Sequence, residues 1–157
     1  MPDPMDHDCM KIQDALSGFL KVDTKKCGFL CSFFTYKRLE KGELLFKEGD
    51  QANFAALVIS GALEVKKETE FPGRFFVLSI IPQGHVAGEF ALLNRGGLMR
   101  SATVTAHENS ELAIINKTSY DEFCMRFPII SSVFLRQILF DVCNRLKRTN
   151  KRLSMIF

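Results

Sequence analysis

Residues 84–104 read Gly84-His-Val-Ala-Gly88-Glu89-Phe90-Ala91-Leu-Leu, then Asn94 to Met99, then Arg100-Ser101-Ala102-Thr103-Val104. A glycine at 88 lets backbone amides approach an anion closely, the E-F-A-L-L that follows is suited to start a short helix whose N–H groups face it, and Arg100 can pair it through two parallel hydrogen bonds. Those are the parts of a phosphate site. Glu89 would repel the same anion unless it accepts a hydrogen bond from a neutral hydroxyl, so the implied ligand is a phosphate joined to a sugar, a nucleotide. On these residue types alone, a turn closed by a structural ion pair accounts for the pattern equally well.

The flanking sequence gives this segment its setting. From Tyr36 to Asn116, short runs rich in β-branched and aromatic residues alternate with turn signals at Lys41-Gly42, Glu48-Gly49-Asp50, Ser60-Gly61, Pro72-Gly73, Pro82-Gln83-Gly84 and Asn94 to Gly97. That regularity predicts a mainly β fold, a jelly roll or β-roll (double-stranded β-helix) of about eight strands. Upstream, Ile12, Leu16, Phe19 and Leu20 fall at helical spacing and are followed by Cys27, Phe29, Leu30, Phe33 and Phe34, which predicts short packed helices over 10–34. Downstream, Ser119 and Glu122 form a candidate capping box, Phe123 and Phe127 share a face, Pro128 interrupts, and a longer helix is expected from about Ile129. With no repeat or linker, the expectation is one domain. It comprises an N-terminal helical segment (1–34), a β-roll (35–117) that contains the 84–104 segment, and C-terminal helices (118–157).

Composition agrees with a folded chain. Of 157 residues 46% are hydrophobic and 25% charged, which excludes disorder and allows one proper core. The longest apolar runs, Phe54 to Ile59 and Phe75 to Ile81, are strand-sized, far short of the roughly 20 residues of a membrane-spanning helix, so no membrane insertion is expected. The first residues, MPDPMDHDCM, are acidic and lack the basic and apolar regions of a secretory signal, so a cytoplasmic location is expected. There the five cysteines are expected as buried thiols rather than disulfides.

The overall charge of +3 is unevenly spread: residues 136–152 carry Arg136, Arg145, Lys147, Arg148, Lys151 and Arg152 against Asp141, a local net of +5. Such a face is more often a solvated helix surface than a nucleic-acid or lipid site. His7, His85 and His107 lie in no metal-ligand spacing and no Ser, Cys or Asp lies in a nucleophile motif, so neither a metal nor catalysis is expected. An iron–sulfur site on Cys27 and Cys31 with Cys9, Cys124 or Cys143 would rest on an unspecific C-x3-C spacing among Phe and Leu, and core thiols are favoured.

The 84–104 segment strongly resembles the phosphate-binding cassette of the cyclic nucleotide-binding domain family, shared by bacterial catabolite activator proteins, protein kinase A regulatory subunits and cyclic-nucleotide-gated channels. The resemblance extends to K-G-E-L-L-F-K-E-G-D (41–50) and F-A-A-L-V-I-S-G-A-L-E-V (54–65), in the family's order. It implies that Glu89 accepts the ribose 2′-hydroxyl and that Gly88 allows close backbone approach. It also implies that Arg100 pairs the cyclic phosphate, that Ser101 and the amide of Ala91 add donors, and that Phe90 and Ala102 flank the ligand. Gly42, Gly49 and Gly61 resemble structural turn glycines. Arg145 to Asn150 resembles the stretch of the long helix that closes over the base, with Thr149 and Asn150 placed to reach an adenine amine. An exposed polar helix face explains those two residues equally well. The spacing from Glu89 to Arg100 is slightly longer than is usual in the family.

The resemblance implies a regulatory sensor without enzymatic activity or cofactor, whose ligand is cAMP or, through Ser101, cGMP, with cAMP favoured by Thr149 and Asn150. Leu135, Leu139, Val142, Leu146, Thr149, Leu153 and Ile156 alternate by four and three residues, which predicts a homodimer seam. Phe134, Ile138 and Cys143 offer the rival stripe of a helix packed on its own β-roll. A downstream protein is expected to receive the signal. Three other readings are weighed beside this one: a truncated transcription regulator, a redox sensor resembling the fumarate and nitrate reduction regulators, and a nucleotide-free dimerisation scaffold. No helix-turn-helix is recognisable after the lid helix, so no sequence-specific DNA partner is expected.

Overall fold

The computed structural model describes residues 4–93 and 96–157, apart from the side chains of residues 4, 5 and 26. The turn expected at 94–97 therefore lies partly outside the described residues, at Asn94 and Arg95. Helix α1 (Pro4–Leu20) leads through two 3-10 turns (Thr24–Lys26 and Gly28–Phe33) into β1 (Thr35–Leu39), β2 (Leu44–Phe46), β3 (Phe54–Ser60), β4 (Ala62–Glu68), β5 (Phe75–Pro82) and β6 (Val86–Ala87). A third 3-10 turn (Glu89–Leu92), β7 (Thr103–Ala106), β8 (Ser110–Asn116), α2 (Lys117–Arg126) and α3 (Pro128–Ile156) complete the chain. Two antiparallel four-stranded sheets, in the orders β1-β8-β3-β6 and β2-β7-β4-β5, form the expected eight-stranded roll.

The continuous apolar run of β3 has a simple cause. Ala55 and Leu57 join a core shared with α1, α2 and α3, while Ala56 and Val58, on the other face, join the core between the sheets with Leu63, Val104 and Leu112. A strand buried on both faces has no need of polar alternation. The helical core is dominated by phenylalanine: Phe134 packs against Phe19 at 5.5 Å and Phe123 at 5.9 Å between ring centroids. Strand β5 is apolar in sequence yet lies at a sheet edge, with Phe75, Phe76, Val77, Leu78 and Ile80 exposed.

Three expectations are corrected. Helix α2 is capped by Asn116, whose side-chain oxygen accepts from the Ser119 amide at 2.8 Å. The helix thus starts earlier than a Ser119 cap would set it, and Glu122 pairs with Arg126 instead of reaching back. The N-terminal segment opens with one helix of 17 residues rather than several short ones, because the apolar stripe Ile12, Leu16, Phe19, Leu20 continues unbroken to its docking surface on α3 and β3. This longer helix sets Cys9 beside Cys31 with Cα atoms 5.6 Å apart and their sulfurs joined, so these two are a disulfide; Cys143 is exposed, and only Cys27 of the remaining thiols is fully buried.

A polar cluster ties α1 to the sheet. The Glu111 carboxylate accepts from Lys11, Tyr36 and Ser60, and the lysine and tyrosine hold its pKa down to about 2. An unfolded Glu titrates near its ordinary value, so this contribution is fully present above about pH 4.5 and is lost as the pH falls towards 2. Glu111→Gln should cost about 1 kcal/mol at neutral pH, because the site is partly solvated, and its deficit against wild type should close near pH 2. Urea unfolding at the two pH values checks this, and a deficit independent of pH would contradict it.

Candidate functional site

The β-roll positions a cavity of about 390 Å³ between the β2-β7-β4-β5 sheet and the third 3-10 turn. It is lined by apolar Phe46, Ala52, Val65, Ile81, Leu98, Met99 and Val104, and by Gly88, Glu89, Phe90, Arg100, Ser101, Ala102 and Arg145. Gly88 follows β6 in the left-handed region, at φ +73°, and a Cβ there would stand 2.7 Å from Arg100 Nη1 and 3.1 Å from the Phe46 ring. The residue must therefore be glycine for the backbone to turn this close to the arginine.

Arg100 is only 5% exposed. Its guanidinium lies 3.8 Å from the Phe46 ring centroid and 4.7 Å from that of Phe54, and it donates to the carbonyls of Phe54 (2.6 Å) and Gly88 (3.3 Å). The Arg100 Nε is buried without a hydrogen-bond partner. Burial pushes the guanidinium below its ordinary pKa, opposed by Asp50 and Glu89, so a buried positive charge with an unused donor faces this site. Glu89 accepts from Arg145 Nη2 at 2.8 Å, a pair in which both side chains are largely shielded. Arg145 also donates to the Val86 carbonyl at 3.4 Å, and its Nε too is buried without a partner.

One turn earlier on α3, buried Asp141 contacts His85 Nδ1 and accepts from the Val86 amide at 3.4 Å. Asp141 and Arg145, four residues apart on one helix face, therefore grip β6 from its far side. Reading the sequence by motif passes over this grip, although Asp141 stands out there as a lone acid in a basic run.

The structure thus brings Gly88, Glu89, Phe90, Arg100, Ser101 and Ala102 to one cavity. Phe90 is 66% exposed at its mouth, and Ser101 is exposed with its carbonyl accepting from Lys67. Ala91 is buried outside the lining, and its amide donates to the Gly88 carbonyl at 3.1 Å, closing the 3-10 turn. Thr149 and Asn150 do not line the cavity. Both are exposed on α3, and the Thr149 hydroxyl donates to the Arg145 carbonyl of its own helix at 3.0 Å, because an unbroken α3 carries them past the opening. Arg145, one turn earlier, takes the place at the cavity wall. Among the described residues, no group of three or more His, Cys, Asp or Glu side chains could hold a metal ion, and no helix is long and apolar enough to cross a membrane.

The chain is similar to several known proteins. The cyclic AMP receptor protein of Thermus thermophilus is 29% identical over 100 residues, 64% of this chain and 45% of that protein. A cAMP-dependent protein kinase regulatory subunit of Yarrowia lipolytica is 35% identical over 91 residues, 58% of this chain and 23% of the relative. The chain thus spans less than half the length of these relatives. A cyclic nucleotide-binding domain from Methylobacillus flagellatus KT superimposes with a TM-score of 0.83 at 16% identity, over 99% of this chain and 93% of that one, and so shares its fold. The model of the cyclic nucleotide-binding domain matches residues 36–127, more than half of the chain, and the protein belongs to that family.

Proposed function

We propose that this chain is a cAMP-responsive, non-enzymatic sensor that works in the cytoplasm and signals by moving its C-terminal helices. The observation that carries this reading is the pairing of Glu89 with Arg145, inside the cavity that also holds Arg100. A ribose hydroxyl that donates to Glu89 competes with Arg145, and a cyclic phosphate beside Arg100 supplies the acceptor that its Nε lacks. Because Arg145 belongs to α3, ligand occupancy and the position of α3 are linked. A nucleotide that favours one arrangement of the helix shifts the population towards it.

A second reading, the nucleotide-free scaffold, draws on the same contacts: both Glu89 and Arg100 have protein partners that a nucleotide would have to replace. Calorimetric titration of the full chain with cAMP, cGMP and linear AMP separates the two. The sensor gives saturable heat with a cyclic nucleotide, strongest with cAMP, and none with the linear one. Silence with both cyclic nucleotides at millimolar concentration establishes the scaffold.

The proposal includes a homodimer through α3. Phe134, Ile138 and Asp141 form the stripe that α3 buries on its own domain, whereas Leu135, Leu139, Leu146, Leu153 and Ile156 remain exposed along the predicted seam. Cys143 is exposed and takes no part in the buried stripe. The basic groups flanking the seam repel across a parallel pair, so association should strengthen with salt. Sedimentation should show the mass of a dimer for wild type at micromolar concentration and of a monomer for the Leu139→Asp, Leu146→Asp variant. Equal mass in both removes the seam from the account.

A further inference from the structure

The disulfide between α1 and the second 3-10 turn stands apart from the nucleotide cavity, and its surroundings suggest a role. Cys9 and Cys31 are both partly exposed, and the Cys9 sulfur accepts from the Gln13 side-chain amide at 3.3 Å. Cys27, four residues before Cys31, is fully buried, and burial and Asp23 push its thiol up, so it is unreactive by comparison. The bonded pair has solvent on one side, a polar neighbour, and no competing reactive thiol within its own turn.

The position of the bond gives it a consequence. Helix α1 lays Phe19 against Phe134 of α3, while the 3-10 segment lays Phe33 against Phe123 of α2 and Phe29 against Phe127 at the α2–α3 junction, with ring centroids 5.5, 5.4 and 4.4 Å apart. The two half-cystines therefore belong to the two supports on which α2 and α3 rest. Closed, the bond makes these supports one body; open, it leaves them joined by the intervening chain and by packing.

We propose that Cys9 and Cys31 are a site of reversible oxidation, operated by a small disulfide of the glutathione type, that fastens the support of α3 to the support of α2. One protein thiolate attacks the small disulfide and expels a thiolate, giving a mixed disulfide. The second protein thiolate then attacks the protein sulfur of that bond and expels the other. Two protein thiols are oxidised and one small disulfide is reduced to two thiols, with no other reactant. The site needs no nucleotide, so it stands or falls independently of the sensor reading.

The full chain carrying Cys143→Ser, which removes the exposed thiol, should be equilibrated in glutathione buffers from reducing to oxidising and then alkylated. Under oxidising conditions alkylation in denaturant should reach only Cys27 and Cys124, peptide mapping should recover a Cys9–Cys31 link, and Tm of the folded chain should rise by about 6–12 °C, the shift expected when a loop of this length is closed. Excess reductant should reverse all three, and Cys9→Ser in the same background should abolish the shift. A link to Cys27, full alkylation at the most oxidising ratio, or a Tm that ignores redox state overturns the proposal. Because mapping and Tm are read on the chain with both cysteines present, they decide it even where Cys9→Ser folds poorly.

Discussion

Arg100→Ala should lower affinity for the cyclic nucleotide by about 10- to 150-fold, the loss of one charge-assisted contact worth about 1.5–3 kcal/mol in a shielded site. The side chain is nearly buried between Phe46 and Phe54, so a bound phosphate would meet it away from competing water. The substitution also removes donors to the Phe54 and Gly88 carbonyls, and some loss of stability is expected with it. Arg100→Lys separates the effects, since it keeps the charge while losing the planar fork, and should bind between wild type and Arg100→Ala. Glu89→Ala should weaken binding too, by removing the acceptor for the sugar. Calorimetry on variants shown by circular dichroism to be folded is the measurement; if Arg100→Ala binds cAMP as tightly as wild type, the ligand does not sit in this cavity.

Gly61→Ala is expected to destabilise the fold by about 2–5 kcal/mol, a large share of the stability of an ordinary domain. Gly61 adopts φ +85°, and a Cβ there would collide with the Asn109 carbonyl and the Ser110 side chain and stand 2.8 Å from the Ser110 Cα. Neither neighbour can yield cheaply. Ser110 opens β8, which is paired with both β1 and β3, and its hydroxyl bridges to Ala62 and Glu108. Gly42 has almost the same φ, +87°, but open space around it, so Gly42→Ala should cost only about 1 kcal/mol of conformational strain. Urea denaturation of the pair isolates the steric contribution, and equal losses would show that the contact with β8 is unimportant.

The roll was legible in the sequence because its signals are local. Turn glycines sit between strands, β3 announces its double burial by an unbroken apolar run, and Pro128 marks the start of α3. The polar signals were less secure. Ser119 and Glu122 have the spacing of a capping box, but Asn116, at the junction with β8, reaches the Ser119 amide first. Phe75 to Ile81 has the composition of a core strand, yet edge position, which composition does not encode, leaves most of it exposed.

By itself the sequence determined the β-roll, the helices on either side of it, and the short segment from Gly88 to Ser101 that carries glycine, carboxylate and guanidinium, since each depends on residues within a few positions of one another. Only the tertiary structure decided what these groups touch. The Phe46 and Phe54 rings around Arg100, the grip of Asp141 and Arg145 on β6, the displacement of Thr149 and Asn150 from the cavity, and the meeting of Cys9 with Cys31 all join elements distant along the chain. Their geometry follows from how the helices pack on the sheet, and side-chain reach across such packing is fixed by the azimuth and length of each helix, which periodicity specifies only to the nearest face.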